Sequence, residues 1–275
     1  MLPAPKKQHI YWMPLRGQNI KIIGAGMPRT GTNSFCAAVS HLVDGPSYHV
    51  GVQTAATGDE NHVRSWISVL GTRPYRPEDK KHALEVLKHE LDGYVMVTDP
   101  PVPQLVPELL ELYPDAIVIV TMRDKKSWAV SFAKIIDLVQ IDLLAIVFFW
   151  IRSLRLLPTL WHLFTAMNIE RYGFIATAND EVLVRQWDAH MEMIKEQVPS
   201  EKLFFYDVRE GWEPLCKILG KPVPKDMPFP RLNDSMAIEA AFKSWSIQGL
   251  TIWAGVTSVA VALVSVMGYL LWQRL

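Results

Sequence analysis

Residues 19–42 constrain this chain more than any other stretch. Asn19-Ile20-Lys21-Ile22-Ile23-Gly24 is a short β-branched run stopped by glycine, the form of a buried strand. Residues 32–42 then read as a helix. Between them lies Ala25-Gly26-Met27-Pro28-Arg29-Thr30-Gly31. Strand, glycine-rich turn and helix together form the opening unit of a parallel α/β sheet. Such a turn presents backbone N–H groups and the positive end of a helix dipole, which is a ready anion site.

The rest of the chain keeps this rhythm. Helical patterns cover 78–91, 106–112, 125–138 and 181–197, and strand patterns cover 93–98, 116–122 and 203–206. Residues 116–122 are almost wholly apolar, as a strand covered on both faces should be. The expected fold is α/β, a three-layer sandwich around a central parallel sheet. Its domain should span 19–240, behind an N-terminal extension over 1–18, and 275 residues suffice for one such domain with an appendage. A formal net charge of +0 gives no basis for binding nucleic acid in bulk. The two cysteines, Cys36 and Cys216, form neither a disulfide framework nor a metal-ligand spacing, so a reducing compartment and no metal are expected.

The C-terminal end has a different character. No charge occurs between Lys243 and Arg274, and residues 250–272 are nearly all apolar. At about 1.5 Å rise per residue the stretch matches the hydrocarbon core of a bilayer. Trp253, Tyr269 and Trp272 stand near its ends, where aromatic anchors collect. Residues 247–272 therefore read as a transmembrane tail anchor that leaves the rest of the chain in the cytosol. No uninterrupted apolar stretch follows the N-terminal Lys6-Lys7, so no secretory signal is expected. Residues 141–167 are rich in Leu, Phe, Ile and Trp, with Arg152, Arg155 and His162 as the only basic side chains. Two readings stay open for them: a helical cap over an apolar acceptor pocket, or a segment lying on the membrane surface.

Three nucleotide-loop readings compete at 24–32. The third glycine falls at Gly31, too late for G-x-G-x-x-G, and Thr32 stands where a triphosphatase loop needs lysine. What remains is G-x-P-R-T-G-T, which resembles the 5′-phosphosulfate loop of sulfotransferases, enzymes that use 3′-phosphoadenosine 5′-phosphosulfate. The resemblance implies that Pro28, Arg29, Thr30, Gly31, Thr32 and Asn33 hold the donor. Arginine cannot give up a proton at neutral pH, so Arg29 would stabilise charge on the departing oxygens. Where several soluble members carry an adenine-contacting tryptophan this chain has Ser34, with Phe35 beside it as the substitute.

Two further elements extend the resemblance. Arg123 ends the run 116–122, and Ser131 follows eight residues later on the next helix. Sulfotransferases hold the donor's 3′-phosphate with an arginine and a serine at this spacing. Asp99 closes the run 93–98, where soluble members carry a catalytic histidine. The pattern is most similar to a branch with G-x-P-R-T-G-T, D-G-Y, Thr-Asp, R-D-K-x-x-W and G-W-E-P-L-C. This chain has Asp92-Gly93-Tyr94, Thr98-Asp99, Arg123-Asp124-Lys125 with Trp128, and Gly211-Trp212-Glu213-Pro214-Leu215-Cys216.

The branch includes the schistosome drug-activating sulfotransferase, and the resemblance runs from about residue 20 to 233. It implies the sulfotransferase variant of the P-loop triphosphatase fold, with Asp99 as the base that accepts the proton of an acceptor hydroxyl. It also places Arg231 and Asn233 in a loop folded over the donor. His49, after Tyr48, is a second candidate base, and both are candidate acceptor contacts. The rivals are a triphosphate hydrolase or kinase, which would need the missing lysine, and an NAD-dependent enzyme, which would need an absent Tyr-x-x-x-Lys. A non-catalytic, membrane-tethered nucleotide binder is the third.

Overall fold

The computed structural model describes residues 13–73, 79–138, 141–152, 154–232 and 234–273; residues 1–12 of the expected extension lie outside it, as does Asn233. Strand β1 (Ile22–Gly24) leads through the glycine loop into α1 (Thr32–Val43), which is followed by β2 (Ser47–His49). Next come α2 (Glu60–Gly71), α3 (Lys80–Glu90), β3 (Met96–Thr98), α4 (Val106–Leu112), β4 (Ile117–Thr121) and α5 (Lys125–Leu138). The second half adds α6 (Ile141–Val147), α7 (Leu157–Tyr172), α8 (Asp180–Gln197), β5 (Leu203–Tyr206), α9 (Trp212–Leu219) and α10 (Asp234–Trp272).

The five strands form one parallel sheet in the order β2-β3-β1-β4-β5. The chain leaves β1 toward β2 and β3 on one side, then crosses to β4 and β5 on the other. That reversal opens a crevice at the carboxyl end of β1, the place where parallel sheets bind ligands. Register pairs Gly24 with Thr98, so the loops after β1 and β3 begin side by side.

Strand alternation makes the layers. Ile23, Val97, Val118 and Val120 pack in one apolar core with Trp66, Leu87, Trp128 and Leu183 from α2, α3, α5 and α8. The intervening Ile22, Met96 and Ile119 enter a second core with Phe35 and Val39 of α1 and Leu215 of α9. Period-two side chains on a sheet covered twice thus produce the three layers. Each fully buried Ile, Val or Leu contributes about 1.5–3 kcal/mol, so both faces of even three-residue strands are strongly specified.

The segment 141–167 does not act as one unit. The buried residues Phe164 and Met167 of α7 join the first core. The turn after α6 instead builds a third cluster, in which Val147, Phe148, Ile151 and Leu154 pack against Phe242, Trp245 and Ile252 of α10. The apolar helix expected over 247–272 begins earlier, because α10 is one continuous helix from Asp234. The expected domain end at 240 therefore falls inside this helix. Among the described residues one helix is long and apolar enough to cross a membrane, Glu239–Trp272, and its most apolar window is entirely unburied.

Candidate active site

The loop between β1 and α1 is pinned from three sides. Pro28 carbonyl accepts the Trp128 indole N–H at 2.7 Å. Arg29 carbonyl accepts Arg123 Nη1 at 2.9 Å. Ala25 carbonyl accepts His190 Nε2 at 2.8 Å, while His190 Nδ1 takes the Tyr172 hydroxyl at 3.0 Å. Those two contacts fix His190 as the Nε2–H tautomer, and burial pushes its pKa down to about 4, so the ring stays neutral. Thr30 Oγ1 donates to Met27 carbonyl at 2.7 Å and is met by the Thr121 hydroxyl of β4. Gly26 sits so close to β4 that an added Cβ would lie 1.8 Å from Thr121 Oγ1.

The pinned loop exposes the start of α1. Gly31 is the helix cap, in the left-handed region at φ 88°, and no side chain caps the helix. The first turn carries no acidic residue, so the positive end of the dipole is left for an outside anion. Arg29 also adopts a left-handed backbone, at φ 72°. Its Nε reaches Ser131 Oγ of α5 at 3.4 Å. Arg123 is half-buried, and its guanidinium is pushed below its usual value by burial first, then by the charges of Arg29 and Arg209. Like charges gathered at a helix N-terminus make an anion site, because a bound anion relieves the repulsion.

Facing this loop is Asp99, at the end of β3 and in the left-handed region at φ 79°. Its Oδ2 accepts the Gly51 N–H at 3.1 Å and lies 3.5 Å from His49 Nδ1. His49 Nε2 in turn meets Thr32 Oγ1 at 2.9 Å. Loop hydroxyl, imidazole and carboxylate therefore form one line across the crevice. Burial raises the Asp99 carboxyl above the ordinary aspartate value, opposed by His49, the Gly51 N–H and Arg29 in that order. A carboxylate held this way is a stronger proton acceptor than a solvated one, which is the property a general base needs.

Of the expected site residues, Pro28, Arg29, Thr30, Gly31, Thr32, His49, Asp99, Arg123 and Ser131 are brought to this crevice. Asn33 is half-buried on the first turn of α1. Arg231 is exposed in a segment laid over α1: Leu232 N–H donates to Ser34 Oγ at 3.0 Å, and Met227 carbonyl accepts the Trp212 indole N–H at 2.8 Å. Two expectations need correction. Tyr48 is not part of the crevice, because strand alternation turns it to the other face, where it is fully buried and bonded to Trp66 and Glu90. Phe35 cannot take the adenine-contact role, since it is fully buried against Tyr206 in the second core.

Sequence reasoning missed Trp128, His190 and Thr121 as braces of the loop, Gly51 as the donor to Asp99, and Arg209 beside Arg123. Only Trp128 carried a visible signal, the tryptophan five residues after Arg123.

Comparison with known proteins identifies the family. The family described as "Sulfotransferase domain" matches residues 21–238. The chain is also similar to "Ava biosynthesis cluster protein M" of Aspergillus versicolor, 29% identical over 234 residues that cover 78% of this chain and 82% of the relative. The matched span takes in the loop after β1, Asp99, Arg123 and Ser131, so this chain belongs to the sulfotransferase domain family and is a sulfotransferase enzyme.

Proposed function

We propose that the chain moves a sulfuryl group from 3′-phosphoadenosine 5′-phosphosulfate to a hydroxyl of a lipophilic small molecule, as a member of the branch with arginine in the loop and an aspartate base. The observation that carries this reading is the line Thr32–His49–Asp99, which fixes a partly buried carboxylate opposite an uncapped, arginine-flanked helix start. The family normally draws on this donor. The 5′-phosphosulfate would sit on the N–H groups from Thr30 to Asn33. Arg123 and Ser131 would take the 3′-phosphate, with Arg231 and Asn233 closing over the nucleotide.

In the reaction the acceptor hydroxyl gives its proton to Asp99 as its oxygen attacks sulfur in line. The bond between sulfur and the bridging oxygen breaks, and that oxygen leaves with the electron pair on the 5′-phosphate. Arg29 stabilises the charge there. Positioning contributes the rest, because the donor is already activated. His49 orients Asp99 and contacts the acceptor. The reading of the acceptor as lipophilic rests on the apolar α6 region and the candidate span, which would hold the enzyme in a membrane with its catalytic domain in the cytosol.

Full-length protein in lipid nanodiscs, given radiolabelled donor and a panel of sterol, phenol and long-chain alcohols, should transfer label to at least one of them. If protein that binds 3′-phosphoadenosine 5′-phosphate labels only hydrophilic acceptors such as sugars, the lipophilic assignment is wrong.

A further inference from the structure

The outer side of α6 and its following turn is apolar where an ordinary protein surface is not. Leu143, Ile146, Phe149 and Trp150 are 59%, 60%, 56% and 44% exposed, and they follow one another along one stripe. Their neighbours Val147, Phe148, Ile151 and Leu154 are buried beneath them against α10. This stretch is therefore apolar on both sides, and core packing accounts for only one of them. Large exposed apolar patches on a folded domain mark a surface that something else covers.

The stripe is physically continuous with the candidate span. Trp253 donates its indole N–H to Ile146 carbonyl at 2.7 Å. Gly249 lies on Val147, where an added Cβ would come 2.1 Å from the carbonyl oxygen. The rings of Phe149 and Trp150 are 5.0 Å apart, and Trp150 and Trp253 are 5.6 Å apart. Ile247 and Leu250 of α10 are exposed too, and from Val256 onward the helix is exposed on all sides. Phe149, Trp150 and Trp253 thus form an aromatic cluster at the point where α10 leaves the domain. Tryptophan collects at such heights, between headgroups and acyl chains.

We propose that the Leu143–Ile146–Phe149–Trp150 stripe is a membrane-docking surface, seated in the interfacial layer of the same bilayer that α10 crosses. The proposal rests on reading α10 as a membrane span. Its consequence is a fixed tilt of the domain rather than a domain swinging on a tether. Just beyond the stripe, Arg155 Nη2 contacts both Glu60 oxygens at 3.1 Å and Arg152 Nε lies 3.4 Å from Oε2, which ties this surface to the start of α2. The segment carrying Gly51, the donor to Asp99, leads directly into that helix. An acceptor dissolved in the bilayer would then meet a crevice held at constant height above it.

The test uses the full chain in phosphatidylcholine nanodiscs with an environment-sensitive dye on single introduced cysteines. Cys36 and Cys216 are buried and stay unlabelled. The sites are Phe149→Cys, Leu143→Cys, Val264→Cys in the span, and Val223→Cys, an exposed position just after α9 on the far side of the sheet. Brominated lipid should quench the dyes at 143, 149 and 264 but not at 223. Aqueous iodide should quench 149 about tenfold less than 223, as burial roughly 5–10 Å into the headgroup boundary demands.

Bromolipid quenching at 264 with iodide access at 149 equal to 223 overturns the docking surface and leaves the span intact. No bromolipid quenching at 264 overturns both. A dye at 149 shielded from iodide and from bromolipid alike means that a second copy covers the stripe, which also overturns the proposal. Binding of 3′-phosphoadenosine 5′-phosphate by the same samples reports the proposed donor assignment separately.

Discussion

Asp99 and Arg29 are two of the few non-glycine residues with a left-handed backbone, and they face each other across the crevice. That conformation costs about 1–2 kcal/mol per residue, although aspartate tolerates it better than most. Burial adds a second cost, because it raises the Asp99 carboxyl above its ordinary value. The folded state then holds the proton more tightly than the unfolded state. The stability this gives is fully present below the ordinary carboxylate value and is lost as pH rises through the raised one. Asp99→Asn should therefore raise Tm at pH 7, with a smaller gain on acidification toward about 3.9, by differential scanning calorimetry. The same variant should lose about 10²–10⁴-fold in turnover with donor affinity unchanged. In the wild type, activity should fall as pH drops through the raised value, since the base acts when ionised. A turnover loss in Asp99→Asn that is matched by lost donor binding would contradict the base role. Arg29, Asp99 and Arg123 were legible in the sequence because each follows a strand in a local pattern, and Ser131 because it stands eight residues after Arg123. The contact between His49 and Thr32 was not, because it joins two segments with no shared motif. Tyr48 was misplaced because the strand around it, β2, has only three residues, too few to show which face is which.

At the level of elements, the helices over 106–112 and 125–138 fall where the pattern put them, as does the strand over 203–206. Strands expected over 19–24 and 93–98 are shorter, Ile22–Gly24 and Met96–Thr98, because pairing begins only where neighbours on both sides are present. β2 and α2 were not read from sequence. α2 opens on a run of polar residues, Glu60-Asn61-His62, and its apolar face emerges only from packing against α7 and α3. Gly26 packs tightly against β4, where an added Cβ would also fall 2.8 Å from the Thr121 backbone nitrogen. Backbone cannot yield as a side-chain tip can. Gly26→Ala should thus destabilise the fold by about 1–3 kcal/mol and displace the anion loop. Urea unfolding with adenosine bisphosphate binding on the same samples would check this; unchanged stability and affinity would show that the loop is looser than its three braces suggest.

At the scale of the whole molecule, the proposed donor site exists only as a convergence. The loop after β1, the ends of β2, β3 and β4 and a serine on α5 reach one crevice from positions spread over about a hundred residues of chain. The sheet order was not legible in the sequence, because it depends on which three-residue strands pair. The crevice at the carboxyl end of a parallel sheet was legible, because every strand of that kind ends there. The central claim is that this convergence recognises a nucleotide carrying both a 5′- and a 3′-phosphate, and isothermal calorimetry tests it most directly. Full-length protein should bind 3′-phosphoadenosine 5′-phosphate in a one-to-one complex and bind ATP and NAD far more weakly. Arg123→Ala should weaken the adenosine bisphosphate by about tenfold or more, the worth of a lost charge-assisted pair. Folded protein that ignores the adenosine bisphosphate, or that binds ATP equally well, would contradict the account.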